Sequence, residues 1–293
     1  MNLPFHPRRA ILGLGLLLGA CVASPPPTPP TPAGRYAALV IAADQTAGQV
    51  VDHLAARERA EVQEAGSLRF AAGAMPPTPP PPATPAAGAV LDPGVKLILM
   101  QAQRLAALSV GQVPAEGPQG AALLARVQDS LAALRAVPGR WPAETVRRRG
   151  LDAFAVLAAP APPGLDAAGL ALQRQRAVSE AVALLRAVIG DDARSGLRGA
   201  LAQRHEAWRQ AQTAMLNSVR NDRSIGPDQR MQIWQTTQAR IAADPPEVAG
   251  AELHRRLGAI PAGHAAAGAG DAAGVEAFGA AVGRLQSLLV QAR

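Results

Sequence analysis

The chain has 293 residues, a net charge of +7, 48% hydrophobic residues and only 3% aromatic residues. With so few aromatic rings, burial depends on Leu, Val and Ala, which suits closely packed helices better than a β-sandwich. The basic excess is nearly all arginine and is spread along the sequence, which argues against a nucleic-acid-binding surface.

An apolar run follows two arginines at the start of the chain. Arg8 and Arg9 precede residues 10–18, which are aliphatic or glycine, and small residues follow. This order of basic, apolar and small-residue regions predicts an export signal over residues 1–20. The run is shorter than the roughly 20 apolar residues of a membrane-spanning helix. The arginine pair also resembles a twin-arginine signal, without the usual polar residue before it, so both export routes stay open.

The end of this run carries the most specific motif in the chain. Leu18-Gly19-Ala20-Cys21 resembles the lipobox of bacterial lipoproteins, in which an aliphatic residue and two small residues precede a cysteine. The resemblance covers the signal alone. It implies cleavage between Ala20 and Cys21, a diacylglycerol on the Cys21 sulfur, and often an acyl chain such as palmitate on the new amino group.

Cys21 is the only cysteine, so it has no partner for an internal disulfide, and acylation would explain its presence. One acyl chain holds a protein only marginally, whereas two or three give a stable anchor. Val22 follows Cys21, in place of the Asp that tends to retain enteric lipoproteins at the inner membrane. The resemblance therefore implies an outer-membrane anchor facing the periplasm. The alternatives are the periplasmic face of the inner membrane, and an ordinary signal peptide that contains a cysteine.

Proline tracts divide the rest of the chain. A tract within residues 21–34 predicts an extended tether. A second tract predicts an exposed loop over 76–88, and Pro160–Gly164 is the best candidate for an internal boundary. The sequence thus predicts a signal (1–20), a lipidated Cys and linker (21–34), an N-terminal helical part (35–160) and a C-terminal helical bundle (165–293).

Apolar residues at spacings of three and four predict helices in the other segments. A stripe from Tyr36 to Leu54 predicts a first helix over 36–65, whose polar end is expected to project into solvent. Asp92-Pro93 predicts the start of the second helix, which runs to Val110. Further helices are expected at 119–137, 141–159, 166–189, 191–220, 227–243, 247–257 and 271–292, with Asp166, Asp191-Asp192 and Asp271 as caps and a loop over 261–270.

These helices predict an all-α protein, a multi-helix bundle of antiparallel helices behind a proline-rich tether. No segment shows the alternation of a strand. The turn at Asn221–Ser224 predicts an antiparallel hairpin, with Met215 facing Met231 in the core. Trp208 and Trp234 are expected further along the same contact.

No complete metal-binding motif is present. His205-Glu206 begins like the helix of a zinc peptidase, but Arg209 occupies the position of the second histidine ligand. The histidines of the helical part are scattered, and each is interpreted as a surface or helix-end residue; they are His53, His205, His254 and His264.

No complete catalytic motif is present either. Ser67 and Ser195 lack the nucleophile elbow, and Lys96 fits neither a P-loop nor a Ser-x-x-Lys motif. Residues 268–274 resemble a dinucleotide-binding loop but follow no strand, which favours a flexible linker.

Two charged clusters remain as candidate sites. Glu58, Glu61 and Glu64 share a helical face and would suit acid–base chemistry if buried, but the neighbouring arginines favour solvated ion pairs. Arg147-Arg148-Arg149 suits phosphate or carboxylate groups, and a solvated helix face is the simpler interpretation.

The sequence therefore predicts a lipid-anchored, periplasm-facing protein that binds or scaffolds other envelope components. Its expected partners are the membrane, through the lipid on Cys21, and other envelope proteins; no cofactor, metal, nucleic acid or catalytic residue is expected. The alternative is an envelope enzyme or small-molecule binder whose site is assembled from scattered polar residues.

Overall fold

The computed structural model describes residues 30–242 and 247–291, and every regular element in these ranges is a helix. The prediction of an all-α, multi-helix protein is confirmed. In chain order the helices are α1 (Pro32–Ala71), α2 (Ala83–Ser109), α3 (Gln119–Leu134), α4 (Glu144–Ala158), α5 (Ala167–Ile189), α6 (Gly196–Asn221), α7 (Pro227–Ile241), α8 (Glu247–Leu257), α9 (Ile260–Gly268) and α10 (Ala272–Gln291).

The longest helix, α1, has 40 residues and packs against several of the others. At 1.5 Å per residue it is about 60 Å long. It begins at a cap, where Thr31 Oγ1 accepts a hydrogen bond from the Gly34 N–H at 3.1 Å. The apolar stripe from Tyr36 to Leu54 is buried as predicted.

The neighbours of α1 run in both directions. α2 is antiparallel to it: Thr31 and Ser109 hydroxyls lie 2.7 Å apart at one end, and Glu58 meets the start of α2 at the other. α6 is parallel to it, because Glu58 also pairs with Arg204 while Glu64 meets residues further along α6. The helices α1 and α6, which are far apart in the sequence, therefore place their polar residues side by side.

One hydrophobic cluster joins the described helices on both sides of Pro160–Gly164. Phe154 of α4 and Leu170 of α5 both belong to it and are fully buried. α4 packs closely on α5 at Gly150, where a Cβ atom would lie 2.4 Å from Leu184 Cβ. Glycine is needed there because any side chain would separate the two helices.

The second helix starts ten residues earlier than predicted, at Ala83 rather than at Pro93. Pro93 lies inside α2, buried, and Asp92 is not a cap. The Asp92 carboxylate instead forms ion pairs with Lys96 at 2.6 Å and Arg126 at 2.9 Å. The missing N–H of Pro93 is tolerated because the burial of α2 stabilises the helix around it.

The predicted cap of α6 is also wrong. The helix starts at Gly196 with Ser195 before it, and Asp192 instead accepts from the Arg194 N–H at 2.8 Å within the preceding turn. Gly190 and Gly196, both with positive φ, close this turn. The Gly196 N–H donates to the Arg140 carbonyl at 2.8 Å, which fixes the turn to the segment before α4.

The small-residue segment predicted as a loop at 261–270 is mostly the helix α9. Its Gly263 and His264 are buried against α1 and α10, with a Cβ at Gly263 only 3.0 Å from the ring of Tyr36. Small residues here allow close packing rather than flexibility. Asp271 then caps α10 as predicted, accepting from the Gly274 N–H at 3.1 Å.

The predicted core contact between α6 and α7 is wrong. Met231 and Trp234 of α7 are 56% and 54% exposed, so neither lies in the core. Trp208 instead packs on Ala65 of α1, in a small second cluster that Ile241 also contacts. α7 turns its threonine and isoleucine side toward α6, which the even scatter of its apolar residues did not indicate.

Candidate functional site

Three glutamates on one face of α1 meet polar residues of α6, and together they form the α1–α6 seam: Glu58, Glu61, Glu64, Arg204, His205, Trp208 and Gln212. The interpretation as solvated ion pairs is wrong for Glu58 and Glu61, whereas Glu64 is partly exposed and pairs with the exposed Arg240. Glu58 is 2% exposed and Glu61 7% exposed. Because α6 runs parallel to α1, it supplies a partner to each carboxylate in turn.

Glu58 closes the junction of three chain segments. Its two carboxylate oxygens accept from the Ala83 N–H at 2.7 Å and the Thr84 N–H at 2.8 Å, the first residues of α2. It also pairs with Arg204, which donates to the Pro81 carbonyl. Burial lowers the pKa of the Arg204 guanidinium. A carboxylate at a helix start satisfies N–H groups that lack partners within the helix and suits its positive end.

Glu61 and His205 form a buried pair at the centre of the seam. His205 Nδ1 lies 3.1 Å from Glu61 Oε1, and the His205 ring stacks on Trp208 with centroids 5.2 Å apart. Arg57 approaches the same oxygen at 3.6 Å. His205 is therefore a packed interior residue, not the surface residue that the sequence suggested.

Glu64 completes the seam at the end nearest the turn after α1. It accepts from Trp208 Nε1 at 2.9 Å and from Gln212 Nε2 at 3.0 Å, and pairs with Arg240 of α7. Glu58 and Glu64 are thus held by several partners each, whereas Glu61 is bound only through Oε1 and its Oε2 has no hydrogen-bond partner among the described residues. This arrangement ties α1, α2, α6 and α7 together at one end of the fold.

A groove of about 790 Å³ lies beside the seam. We call it the proline groove; its walls are the second half of α1, residues 76–82 and the first half of α6. The apolar and small lining residues are Val62, Ala65, Gly66, Pro76, Pro77, Pro79, Pro80, Pro82, Pro138, Ala200 and Ala207. Residues 77–82 of the segment predicted as an exposed loop are exposed, and they also form one wall of this groove.

Two arginines line the proline groove without a carboxylate partner among the described residues. Arg59 is exposed, and its Nε donates to the Ala55 carbonyl at 3.3 Å. Arg69 is half-buried in the last turn of α1. The third lining arginine, Arg204, is neutralised by Glu58. The groove thus combines an apolar wall with an excess of positive charge.

A second buried polar cluster lies between α2, α4 and α5. Arg104 pairs with Glu116 at 2.6 Å and donates to the Leu157 carbonyl at 2.7 Å. Burial would raise the pKa of Glu116, but the hydrogen bonds from Arg104 and the Ala161 N–H hold it below its usual value. Arg174 donates to the Gln101 amide oxygen at 3.0 Å, and burial, followed by the nearby Arg104 charge, lowers its pKa to about 10. These contacts fix the loops before α3 and after α4.

His264 of α9 is buried beside Arg174, Gln175 and Tyr36. Its Nδ1 lies 2.7 Å from the Gln175 amide oxygen, which identifies Nδ1 as the protonated nitrogen. Burial, followed by the charge of Arg174, lowers the pKa of His264 to about 4. The surface interpretation is wrong for His264 too, because α9 was not predicted as a helix.

We expect His264 to make the protein less stable as the pH falls from 6.5 to 4. The folded-state pKa lies below the unfolded-state value, so the unfolded chain takes up a proton first and is favoured. At pH 4.5 this costs about 2.5 kcal/mol relative to pH 7.5. Urea unfolding of the wild type and of His264→Gln at both pH values measures it; equal pH dependence in the two proteins would contradict the assignment.

The other predicted site residues are not brought together into a site. Arg147 lies 15% exposed beside Glu144, and the pKa of Glu144 is lowered by the hydrogen bond from Arg147. His254 Nε2 lies 3.0 Å from an Asp191 oxygen at a helix end, as expected for that histidine. Residues 268–274 span the end of α9, the short turn at 269–271 and the first residues of α10, so they are not a flexible linker.

The predicted cleavage and lipidation residues are Ala20 and Cys21. Both fall within residues 1–29, which lie outside the described part of the chain. Within the described ranges, no group of three or more His, Cys, Asp or Glu side chains is arranged to hold a metal ion. No helix in that part of the chain is long and apolar enough to cross a membrane.

The sequence contains a signal for the seam. Glu58 and Glu61 continue the helical spacing of the α1 stripe beyond Leu54 with charged residues, and Arg204 interrupts the stripe of α6. Opposite charges that break two apolar stripes are expected to meet if the two helices pack together.

Comparison with known proteins adds no assignment: no protein-family model, no curated protein and no solved structure matches this chain.

Proposed function

We propose that this chain is a lipid-anchored protein of the bacterial cell envelope whose helical part binds or scaffolds other envelope components. The Leu18–Cys21 lipobox carries the first half of this proposal. Acylated Cys21 would hold the protein at the outer membrane, facing the periplasm, with the periplasmic face of the inner membrane as the alternative.

The second half, binding rather than catalysis, is supported by how two of the three seam carboxylates, Glu58 and Glu64, are used. Glu58 is held by two backbone N–H groups and Arg204, and Glu64 by three side chains. A general acid or base must be free to exchange a proton with a substrate. Carboxylates locked into several hydrogen bonds serve the architecture of the fold instead.

The proline groove favours a small ligand within this binding function. Its volume of about 790 Å³ lies within the range of known small-molecule sites. It is mainly apolar with a few charged groups at its edge, as such sites are. The groove lies near the C-terminal end of α1, at the opposite end from Pro32, where the tether joins.

We expect labelled palmitate to enter the wild-type protein and not the Cys21→Ser variant. The cysteine sulfur carries the diacylglycerol, and without it neither that modification nor the later acylation takes place. Metabolic labelling followed by immunoprecipitation measures the incorporation, and density separation of the two membranes locates the product. Ser24→Ala is the matched control and should label normally. Equal labelling of Cys21→Ser would overturn the anchor.

A further inference from the structure

The proline groove is left open by the side chains that face it. Ala65 and Gly66 of α1 and Ala200 and Ala207 of α6 line it, and Val62 is the one larger aliphatic residue in the lining. If α1 and α6 were packed so that no solvent entered between them, larger side chains such as Leu or Met would be expected at these positions. Small residues on both walls, with a third wall of prolines, instead preserve a slot.

The proline wall restricts the chemistry of an occupant. A proline has a carbonyl group but no N–H, so residues 76, 77, 79, 80 and 82 offer apolar rings and no backbone donors. Thr78 is the one non-proline residue of this wall in the lining, so an extended peptide in the slot would bring more carbonyl groups than this side has backbone N–H groups to bind. A hydrocarbon chain has no hydrogen bonds to satisfy, and the wall suits it better.

The charges at the groove indicate the other part of the occupant. Among the lining residues Arg59, Arg69 and Arg204 are cationic and only Glu58 is anionic. Arg204 and Glu58 compensate each other, which leaves Arg59 and Arg69 to meet an anion. Arg59 and Arg69 are about 15 Å apart along α1, and Arg59 is turned back toward the Ala55 carbonyl. The half-buried Arg69 is therefore the better placed for a bidentate contact with one carboxylate or phosphate group at the edge of the slot.

We propose that the proline groove binds a single-chain anionic amphiphile, with its hydrocarbon chain between α1, residues 76–82 and α6 and its charged group at Arg69. A fatty acid has this chemistry, and a lysophospholipid with an anionic headgroup shares it. The proposal rests on the binding function proposed above but does not depend on acylation of Cys21.

Photo-crosslinking tests it on the full chain in whole-cell lysates, which retain both membrane-bound and released protein. A fatty acid carrying a diazirine and an alkyne is added to the lysate and irradiated, and the crosslinked peptides of the immunoprecipitated protein are located by mass spectrometry. We expect crosslinks in the peptides that contain residues 58–69, 76–82 and 200–207, in the wild type and in Cys21→Ser alike. Crosslinks confined to other regions would overturn the groove. Loss of palmitate labelling in Cys21→Ser is a separate measurement, so failure of the anchor and failure of the groove are distinguishable.

Competition identifies the ligand chemistry. An unlabelled fatty acid is expected to displace the probe at about one tenth of the concentration needed for the uncharged alcohol of equal length, since a charge-assisted hydrogen bond contributes about that factor. Arg69→Gln should reduce this difference. Arg220→Gln, which removes an arginine from the last turn of α6 outside the groove, should preserve it. Equal competition by acid and alcohol would overturn the role of the arginines. Competition with an unlabelled lysophospholipid, compared with the fatty acid, shows whether the groove prefers a phosphate headgroup or a free carboxylate.

Filling the slot provides the matched structural test. Gly66→Leu places a side chain in the groove, where a Cβ would lie 3.8 Å from Pro76, and should reduce crosslinking at least about tenfold relative to wild type. Gly48→Leu makes the same substitution in α1 where a Cβ meets nothing within 4 Å, and should crosslink normally. Ala207→Leu fills the slot from α6 and replaces Gly66→Leu if that variant fails to fold. Unchanged crosslinking in a folded, filled variant would overturn the proposal.

Discussion

Replacing Glu58 by alanine is expected to lower the free energy of unfolding by about 3–5 kcal/mol. The change leaves the Ala83 and Thr84 N–H groups without their acceptor and leaves Arg204 as a buried charge without its carboxylate. For a domain of this size such a loss lowers the melting temperature by roughly 10 °C. Urea and thermal unfolding of the purified variant measure both quantities.

Two controls separate the causes of that loss. Glu58→Ala combined with Arg204→Met removes the unpaired charge while the two N–H groups stay without an acceptor, so it should recover part of the stability. Glu206→Ala removes an exposed carboxylate of α6 that lies 3.5 Å from Arg209, and should change stability by less than about 0.5 kcal/mol. A loss of that small size for Glu58→Ala would show that the junction contributes little.

Gly190→Ala is expected to lower the free energy of unfolding by at least about 3 kcal/mol. Gly190 has φ of 108°, a conformation that alanine rarely adopts. A Cβ there would lie 2.0 Å from the Ser195 carbonyl oxygen, so the turn between α5 and α6 must open. Since Gly196 closes the same turn and donates to Arg140, the displacement also disturbs the start of α6.

Gly111→Ala is the control for Gly190→Ala, because it has positive φ without a steric clash. Its φ is 72°, and a Cβ there would meet nothing within 4 Å. Gly111→Ala should lower the free energy of unfolding by about 1 kcal/mol, which is the cost of placing alanine at a positive φ. Urea unfolding measures both variants. Similar losses of unfolding free energy would mean that the backbone near Ser195 moves away from the new Cβ at little cost.

The helices were predictable where their own residues define them. The stripe from Tyr36 to Leu54 identified α1, and Asp166 with Gly190 identified both ends of α5. These signals are local, since a cap and its N–H group lie within three residues of each other. The start of α2 was not predictable, because its acceptor is Glu58, 25 residues earlier in the chain.

The site was less predictable than the fold because its burial depends on tertiary contacts. Glu58 and Glu61 looked solvated beside Arg57 and Arg59, and only the parallel course of α6 buries them. His264 lies in a segment of alanines and glycines whose helix is stabilised by packing on Tyr36 and Phe278. Local patterning carries no information on which distant residue covers a polar side chain.

The length of α1 gives the molecule a lever arm. Its first residue, Pro32, and Arg69 beside the groove are about 55 Å apart along the helix axis. Any rotation of α1 about its N-terminal end displaces the groove far more than it displaces Tyr36. If acylated Cys21 anchors the chain as proposed above, a small rotation near the anchor would displace the groove by a much larger distance.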